Sequence, residues 1–407
     1  MKFFNIKNYL ICLLITMLLV ILRMSDPFFV ETLRLKGIDY YQTKQIKTKS
    51  ENIAIIEIDE DSLDEYGQWP WNRSLIAGGI IKAFENGAQL VVIPILFAES
   101  DRLGGDEDLI NVLSEAPVII GQSASTKGKG QPIPRGLATI GEPLDGWLYD
   151  YPEAIGPVKE LGEVAAGVGM IVTAPELDGV VRRLPLVIQI KGEAYPTIPL
   201  EVIRMFAGEE SYQAKVDLGG VEAIRVPGFD PIKTDANSRI WINYKYDFDK
   251  VSFIDEDWSA VKDKIAVIAL TGEGLSNTIA TSTGIKYGHE VTSSALQMII
   301  DDSRLTRPAE STVYEVLITA AFCSLLIIGA LWLSYKFSLV VILAALSSCI
   351  GIGFKFYNDN GWLIDYTWPI ICIFITWSVA TFIRFISESK SKQQIKKQFE
   401  HYLAPPI

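Results

Sequence analysis

Apolar residues run almost unbroken through four stretches of the chain, Tyr9–Leu22, Val313–Leu333, Phe337–Phe354 and Tyr366–Ile386. A helix crosses a bilayer with roughly 20 apolar residues, within a range of about 17–25. The last three stretches meet that length. The first meets it when its flanks Ile6 and Met24 dip into the interface. The pattern therefore predicts transmembrane helices at 9–24, 313–333, 337–354 and 366–386. A short N-terminus (1–8) precedes them, a domain fills 25–312, and a charged helical segment closes the chain at 387–407. Lys2 and Lys7 before a short apolar run also suit a cleavable secretion signal. Such a signal ends in small residues, and the first alanine of the chain is Ala54. An uncleaved anchor is the expectation.

The large intervening segment alternates between two periodicities. Ile53–Asp59 (IAIIEID) is an apolar run of strand length. The following stretch RSLIAGGIIKAFENG places Leu75, Ile76, Ile80, Ile81 and Phe84 at helical spacing, with Gly87 as a stop. AQLVVIPILF is a second buried strand in which Pro94 is an irregularity. PVIIGQ, RIWIN and IAVIALTG add strands, TIPLEVIRMFAG and HEVTSSALQMII add helices, and Ser125–Gly136 reads as an exposed loop. Strand, helix and strand in succession predict an α/β domain with a largely parallel sheet.

Charge changes the picture in two places. Arg384, Lys390, Lys392, Lys396 and Lys397 crowd behind the last span, which predicts a cytoplasmic C-terminus. Four spans then bring the N-terminus to the same side and leave 25–312 extracytoplasmic, which suits a bacterial periplasm as well as any other setting. Arg34, Lys36, Lys44, Lys47 and Lys49 run against that rule, but long domains translocate largely regardless of charge. The chain has 37 basic and 49 acidic residues, a formal charge of −12. Ten of the basic and five of the acidic residues lie outside 25–312, which leaves 27 against 44, or −17, for that domain. Such a surface is a poor match for nucleic acid or anionic lipid. All four cysteines (Cys12, Cys323, Cys349, Cys372) fall in the spans, so the domain uses no disulfide and must be stable through its own core.

Several motifs suggest chemistry without completing it. GGDE at Gly104–Glu107 is the signature tetrapeptide of diguanylate cyclases, but the rest of such a domain is missing. TGEGLSNT lacks the Lys-Ser/Thr of a phosphate-binding loop. His289 is the one histidine of the domain, so a histidine-rich metal site is excluded, and no metal site is expected. The acidic groups at Asp59–Asp61, Asp106–Asp108 and Asp301–Asp302 read as solvated surface. The informative stretch is EIDEDSLDEYGQWPWNRS. It sets Asp59 at the carboxyl end of a strand, Trp69 and Trp71 around a proline, and Arg73 at the start of a helix. Open α/β sheets bind ligands outside the carboxyl ends of their strands. Asp59, Trp69, Trp71 and Arg73 are therefore the candidate ligand-binding residues. The competing reading is structural: the tryptophans pack on the sheet, and Asp59 pairs with Arg73 as a clasp.

The stretch IEIDEDSLDEYGQWPWNRS followed by NGAQLVVIPILFAES resembles the opening of the extracellular CHASE sensor domain of the second type. The likeness extends through ETLRLKGIDYYQ, ELDGVVRRLPLVI, RIWINY and GHEVTSSALQMIIDDSRLTRP into the three closing spans. Two positions depart from the pattern: Pro94 replaces an acidic residue of the second strand, and GHEVTSS replaces a G-V-E-I-H-A-N-like run. At the C-terminus, KKQFEHYLAPPI resembles the segment that precedes class III adenylate/guanylate cyclase catalytic domains. Ile395, Phe399, Tyr402 and Leu403 fall at helical spacing there, as a dimer seam would require, and Pro405 and Pro406 stop the helix. The resemblance implies a membrane-anchored sensor, responding to an unknown extracytoplasmic ligand, whose homodimeric parent makes cyclic AMP from ATP. Mg and ATP belong to the catalytic part, expected beyond residue 407, and no cofactor is expected in this chain. The alternatives are a histidine kinase or other output, or a periplasmic enzyme or transport component that uses the spans as anchors.

Overall fold

The computed structural model describes residues 6–308 and 310–403, with side chains described as far as residue 399. Tyr402 and Leu403 of the expected seam thus have side chains outside the described residues. The chain forms two compact units, one from Gln42 to Thr306 and a helical one built from the segments up to Tyr41 and from Arg307 onward. The division falls inside the 25–312 span expected for the domain, because the segment after the first apolar helix and residues 307–312 pack with the helical unit.

Numbered along the chain, the main helices are α1 (Ile6–Met24), α2 (Phe28–Lys44), α3 (Glu60–Tyr66), α4 (Arg73–Glu85), α5 (Asp106–Glu115), α6 (Ile198–Ala207), α7 (Gly288–Ile300), α8 (Ser311–Trp332), α9 (Tyr335–Asn360) and α10 (Thr367–Leu403). The strands of the central sheet are β1 (Thr48–Ile58), β2 (Leu90–Leu96), β3 (Val118–Ser125), β4 (Glu153–Ile155), β5 (Gly167–Met170), β6 (Tyr246–Ser252) and β7 (Ile265–Leu270).

In the α/β unit the sheet runs β6-β1-β7-β2-β3-β4, with β5 also paired to β3. Every pairing is parallel except that of β3 with β4. Ile55 lies opposite Val267 on one side and Lys250 on the other. Both faces of the sheet are covered, which is why its strands read as continuous apolar runs rather than alternating ones. Ile53 and Ile55 enter one core with Leu90, Val92, Ile119 and residues of α6 and α7. Ala54, Ile56 and Ile58 enter the other with Val91, Ile93, Ile120 and residues of α4 and α5. At Pro94 the pairing of β2 with β3 shifts between Ile93 and Leu96. A proline has no N–H to give the ladder, so the irregularity expected there is present.

One expected strand forms outside the parallel sheet. RIWIN supplies Arg239–Trp241, which pairs antiparallel with Arg183–Pro185 and does not join the parallel sheet. A strand-like run names no partner. Here two arginines select one: Arg183 pairs with Glu176 and Asp235, and Arg239 with Asp235.

Among the described residues the helical unit holds four helices long and apolar enough to cross a membrane, α1, α8, α9 and the first part of α10. The last of these continues without a break through Arg384 to Leu403, 37 residues in all, so the expected span and its charged extension are one helix. α2 was not signalled by the apolar pattern. It packs within this unit through Tyr41, whose ring lies tilted against Tyr366 at 4.5 Å and Tyr357 at 5.6 Å.

Candidate functional site

β1 delivers Asp59 at its carboxyl end, and there the chain turns into α3. Asp59 is the N-cap of that helix, with an extended backbone. Its Oδ1 accepts from the Ser62 N–H at 3.0 Å, the Ser62 hydroxyl at 2.6 Å and the Ser252 hydroxyl at 2.9 Å. Burial pushes this carboxyl up, but the three donated hydrogen bonds outweigh it and hold Asp59 below the usual carboxylate range. Its oxygen is committed to the cap, and no ion pair with Arg73 forms. The expected Asp59–Arg73 clasp is therefore replaced by two separate arrangements. The reason is local: an aspartate one residue before a helix finds backbone N–H groups closer than any remote cation.

Arg73 opens α4 after the N-cap Asn72, whose side chain accepts from the Ser74 N–H at 2.7 Å. The Arg73 guanidinium pairs with Asp106 at the start of α5 and donates to the Glu99 carbonyl. Its flat face lies 5.2 Å from the Phe97 ring. The Arg73 N–H donates to Asp101 at 2.8 Å, and the Asp101 N–H donates to Asp106 at 2.9 Å. These bonds stitch the loop that leaves β2 onto the starts of α4 and α5. GGDE is the end of that loop. Gly105 has φ +100°, and a Cβ there would meet Asn72 Oδ1 at 2.2 Å, so the glycine serves a close approach.

The two tryptophans divide between roles. Trp71 is buried, donates to the Gly67 carbonyl at 2.7 Å and packs on Phe253 at 5.3 Å. It is a core residue. Trp69, 5.7 Å from Trp71, is only partly buried and lines a cleft of about 610 Å³ at the carboxyl end of β2. Arg73, Phe97, Glu99, Arg102 and Lys129 share that lining. Lys129 pairs with Glu99, and Arg102 lies 3.6 Å from the same carboxylate. The lysine pair pulls Glu99 below its usual range. An apolar floor under a rim of both signs suits a small amphipathic molecule.

Asp59 lines a second cleft of about 440 Å³ with Glu57, Glu60, Lys250, Glu273 and Tyr287. The two clefts share no lining residue, so the structure brings Trp69, Trp71 and Arg73 together and sets Asp59 apart. Lys250 bridges Glu57 and Glu290 at 3.0 Å each. Burial depresses Lys250, but the hydrogen bonds it donates to Glu290 and then to Glu57 more than reverse it, and its pKa is raised. Among the described residues no group of three or more His, Cys, Asp or Glu is arranged to hold a metal ion. Phe97, Glu99, Asp106 and Lys129 were missed as site residues. The FAES that follows β2 was within reach of the rule about strand ends, whereas Lys129 sits in a loop with no pattern of its own.

The CHASE2 domain family matches the chain over residues 13–331. The match covers the whole α/β unit and ends within α8, so α9 and α10 lie outside it. No curated protein and no solved structure gives a match.

Proposed function

As the chain belongs to the CHASE2 family of sensor domains, we propose that its α/β unit is an extracytoplasmic receptor that binds a small amphipathic molecule in the Trp69–Lys129 cleft. In this reading α10 passes the bound state to a class III adenylate cyclase catalytic domain in the cytoplasm. The cleft is the observation that carries the reading. It lies outside the carboxyl end of a parallel strand, where open α/β sheets take ligands. It combines aromatic surface with an arginine already held in place by Asp106. On the output side, Ile395 and Phe399 are exposed on α10 and lie four apart, on one face. An exposed apolar face on an isolated helix is marginal in water, and a second copy of the chain is the partner this reading assigns to it.

A chimera tests both halves. The chain is joined after residue 407 to a class III cyclase catalytic domain and expressed in membranes with no cyclase of their own. Leu103→Trp, at an exposed position of the cleft wall, obstructs the cleft. Allosteric couplings amount to about 5–150-fold, so the cyclic AMP rate should differ from the unsubstituted chimera by about fivefold or more. Equal rates from two equally abundant chimeras would sink the coupling between cleft and output.

A further inference from the structure

At one end of the helical unit the C-terminus of α1 meets the N-termini of α8 and α10 in a buried cluster of charge. Glu315, 2 % exposed in the first turns of α8, is its centre. It accepts from Arg23 at 2.7 Å, from both terminal nitrogens of Arg307 at 2.9 and 3.1 Å, and from the Asp365 N–H at 2.7 Å. Asp365, 3 % exposed, turns Oδ1 to the start of α10. That oxygen accepts from the Thr367 N–H at 2.9 Å, the Thr367 hydroxyl at 2.7 Å and the Trp368 N–H at 3.3 Å. Arg23 also holds Asp26 at 3.0 Å, which Arg34 holds in turn at 2.9 Å.

One contact in this cluster is an ion pair without a hydrogen bond. Among the described residues, Asp365 Oδ2 and Arg23 Nε are both buried without a hydrogen-bond partner, and they face each other at 3.6 Å. That separation exceeds the roughly 2.7–3.2 Å of a hydrogen bond. A small rotation of the guanidinium would trade its bond to Glu315 for one to Asp365, exchanging one charge-assisted bond for another. The two carboxylates also differ in what they are attached to. Glu315 is gripped by Arg307, the first residue of this unit after the chain returns from the α/β unit. Asp365 caps the helix that runs on to Leu403.

We propose that Arg23 is the moving part of a two-position joint, paired with Glu315 in one position and with Asp365 in the other. A displacement of the Arg307 segment then alters how α10 is seated. The cluster joins the end of α1 to the starts of α8 and α10, so a change of partner there bears on how those helices are seated. The joint goes beyond the proposed receptor function and needs neither its ligand nor its output.

The test uses the full chain in lipid nanodiscs, with the four native cysteines replaced by alanine. Tyr335→Cys and Phe385→Cys carry spin labels at exposed positions, 73 % and 67 % accessible. Labelled chains are diluted with unlabelled ones so that the measured distances lie within one chain. The unsubstituted chain should give two distance populations. Glu315→Gln should enrich one by about threefold or more and Asp365→Asn the other, since each leaves Arg23 a single anionic partner of the two. Arg23→Lys, without the fork, should give one population. Shifts of Glu315→Gln and Asp365→Asn in the same direction, or one population throughout, would overturn the joint. Where a neutral variant does not fold, Glu315→Asp and Asp365→Glu keep the charge and change its reach, and the same opposed pair is expected. Loss of folding in all four would make the cluster purely structural and overturn it as well.

Discussion

Arg73 has its charge met by Asp106 and its face by Phe97, while Asp59 spends its oxygen on the cap of α3. A double-mutant cycle separates these arrangements. Arg73→Ala and Asp106→Asn should couple by about 1 kcal/mol, since Arg73 is buried and Asp106 only partly so. Arg73→Ala and Asp59→Asn should add without coupling in the same urea titrations; a coupling as large as the first would restore the discarded clasp. His289 is a second residue whose surroundings predict behaviour. It is stacked on Tyr287 at 5.4 Å, and its Nε2 has no partner among the described residues. Burial pushes it down to about 4 from 6.5; Glu290 works against that shift and Lys250 with it. The neutral form is thus the one the fold holds. Its contribution is fully present above pH 6.5 and is lost as pH falls from 6.5 toward 4, about 3 kcal/mol in all. His289→Phe keeps the stacking and removes the titration. Its stability should fall less steeply than that of the parent between pH 6.5 and 4, as thermal melts across that window would show. Parallel curves would mean that His289 takes up its proton equally readily in the folded and unfolded protein.

At the scale of elements, α4 contains two adjacent glycines that propensity alone treats alike. Glycine in a helix interior costs about 0.8–1 kcal/mol relative to alanine. Gly78 is exposed, and a Cβ there meets nothing within 4 Å. Gly79 is buried, and a Cβ there would come within 2.5 Å of the Phe253 ring. That ring is wedged against Trp71 and Trp258 and has little room to retreat. Gly78→Ala should therefore raise stability by up to about 1 kcal/mol, and Gly79→Ala should lower it by about 1–3 kcal/mol through overpacking. Melting of the two variants side by side measures the difference. Equal stabilisation by both would show that α4 seats less tightly on Phe253 than the geometry requires. The helix itself was legible in the apolar spacing of Leu75 to Phe84. Which of its glycines faces the core was not, because two consecutive small residues carry no periodicity.

For the whole molecule, the basic cluster behind the fourth apolar helix predicts that the α/β unit lies outside the cell membrane. A reporter active only outside the cytoplasm should work when fused after Lys127 and fail when fused at the C-terminus. The reverse pattern would invert the receptor proposal. The features written in local periodicity are legible along the chain. These are the four apolar helices, the buried strands β1, β2, β3 and β7, and the helices α4, α6 and α7. Each follows from which positions must leave water, a property of neighbouring residues. No local pattern says that α2 belongs with the helical unit, that Asp106 and not Asp59 answers Arg73, or that the expected site splits into two clefts. Those outcomes depend on the path of the loop from Phe97 to Gly105 and on contacts between segments far apart in the chain. A charge read along the sequence names its sign but not its partner, because the partner is whichever opposite group the fold brings within hydrogen-bond reach.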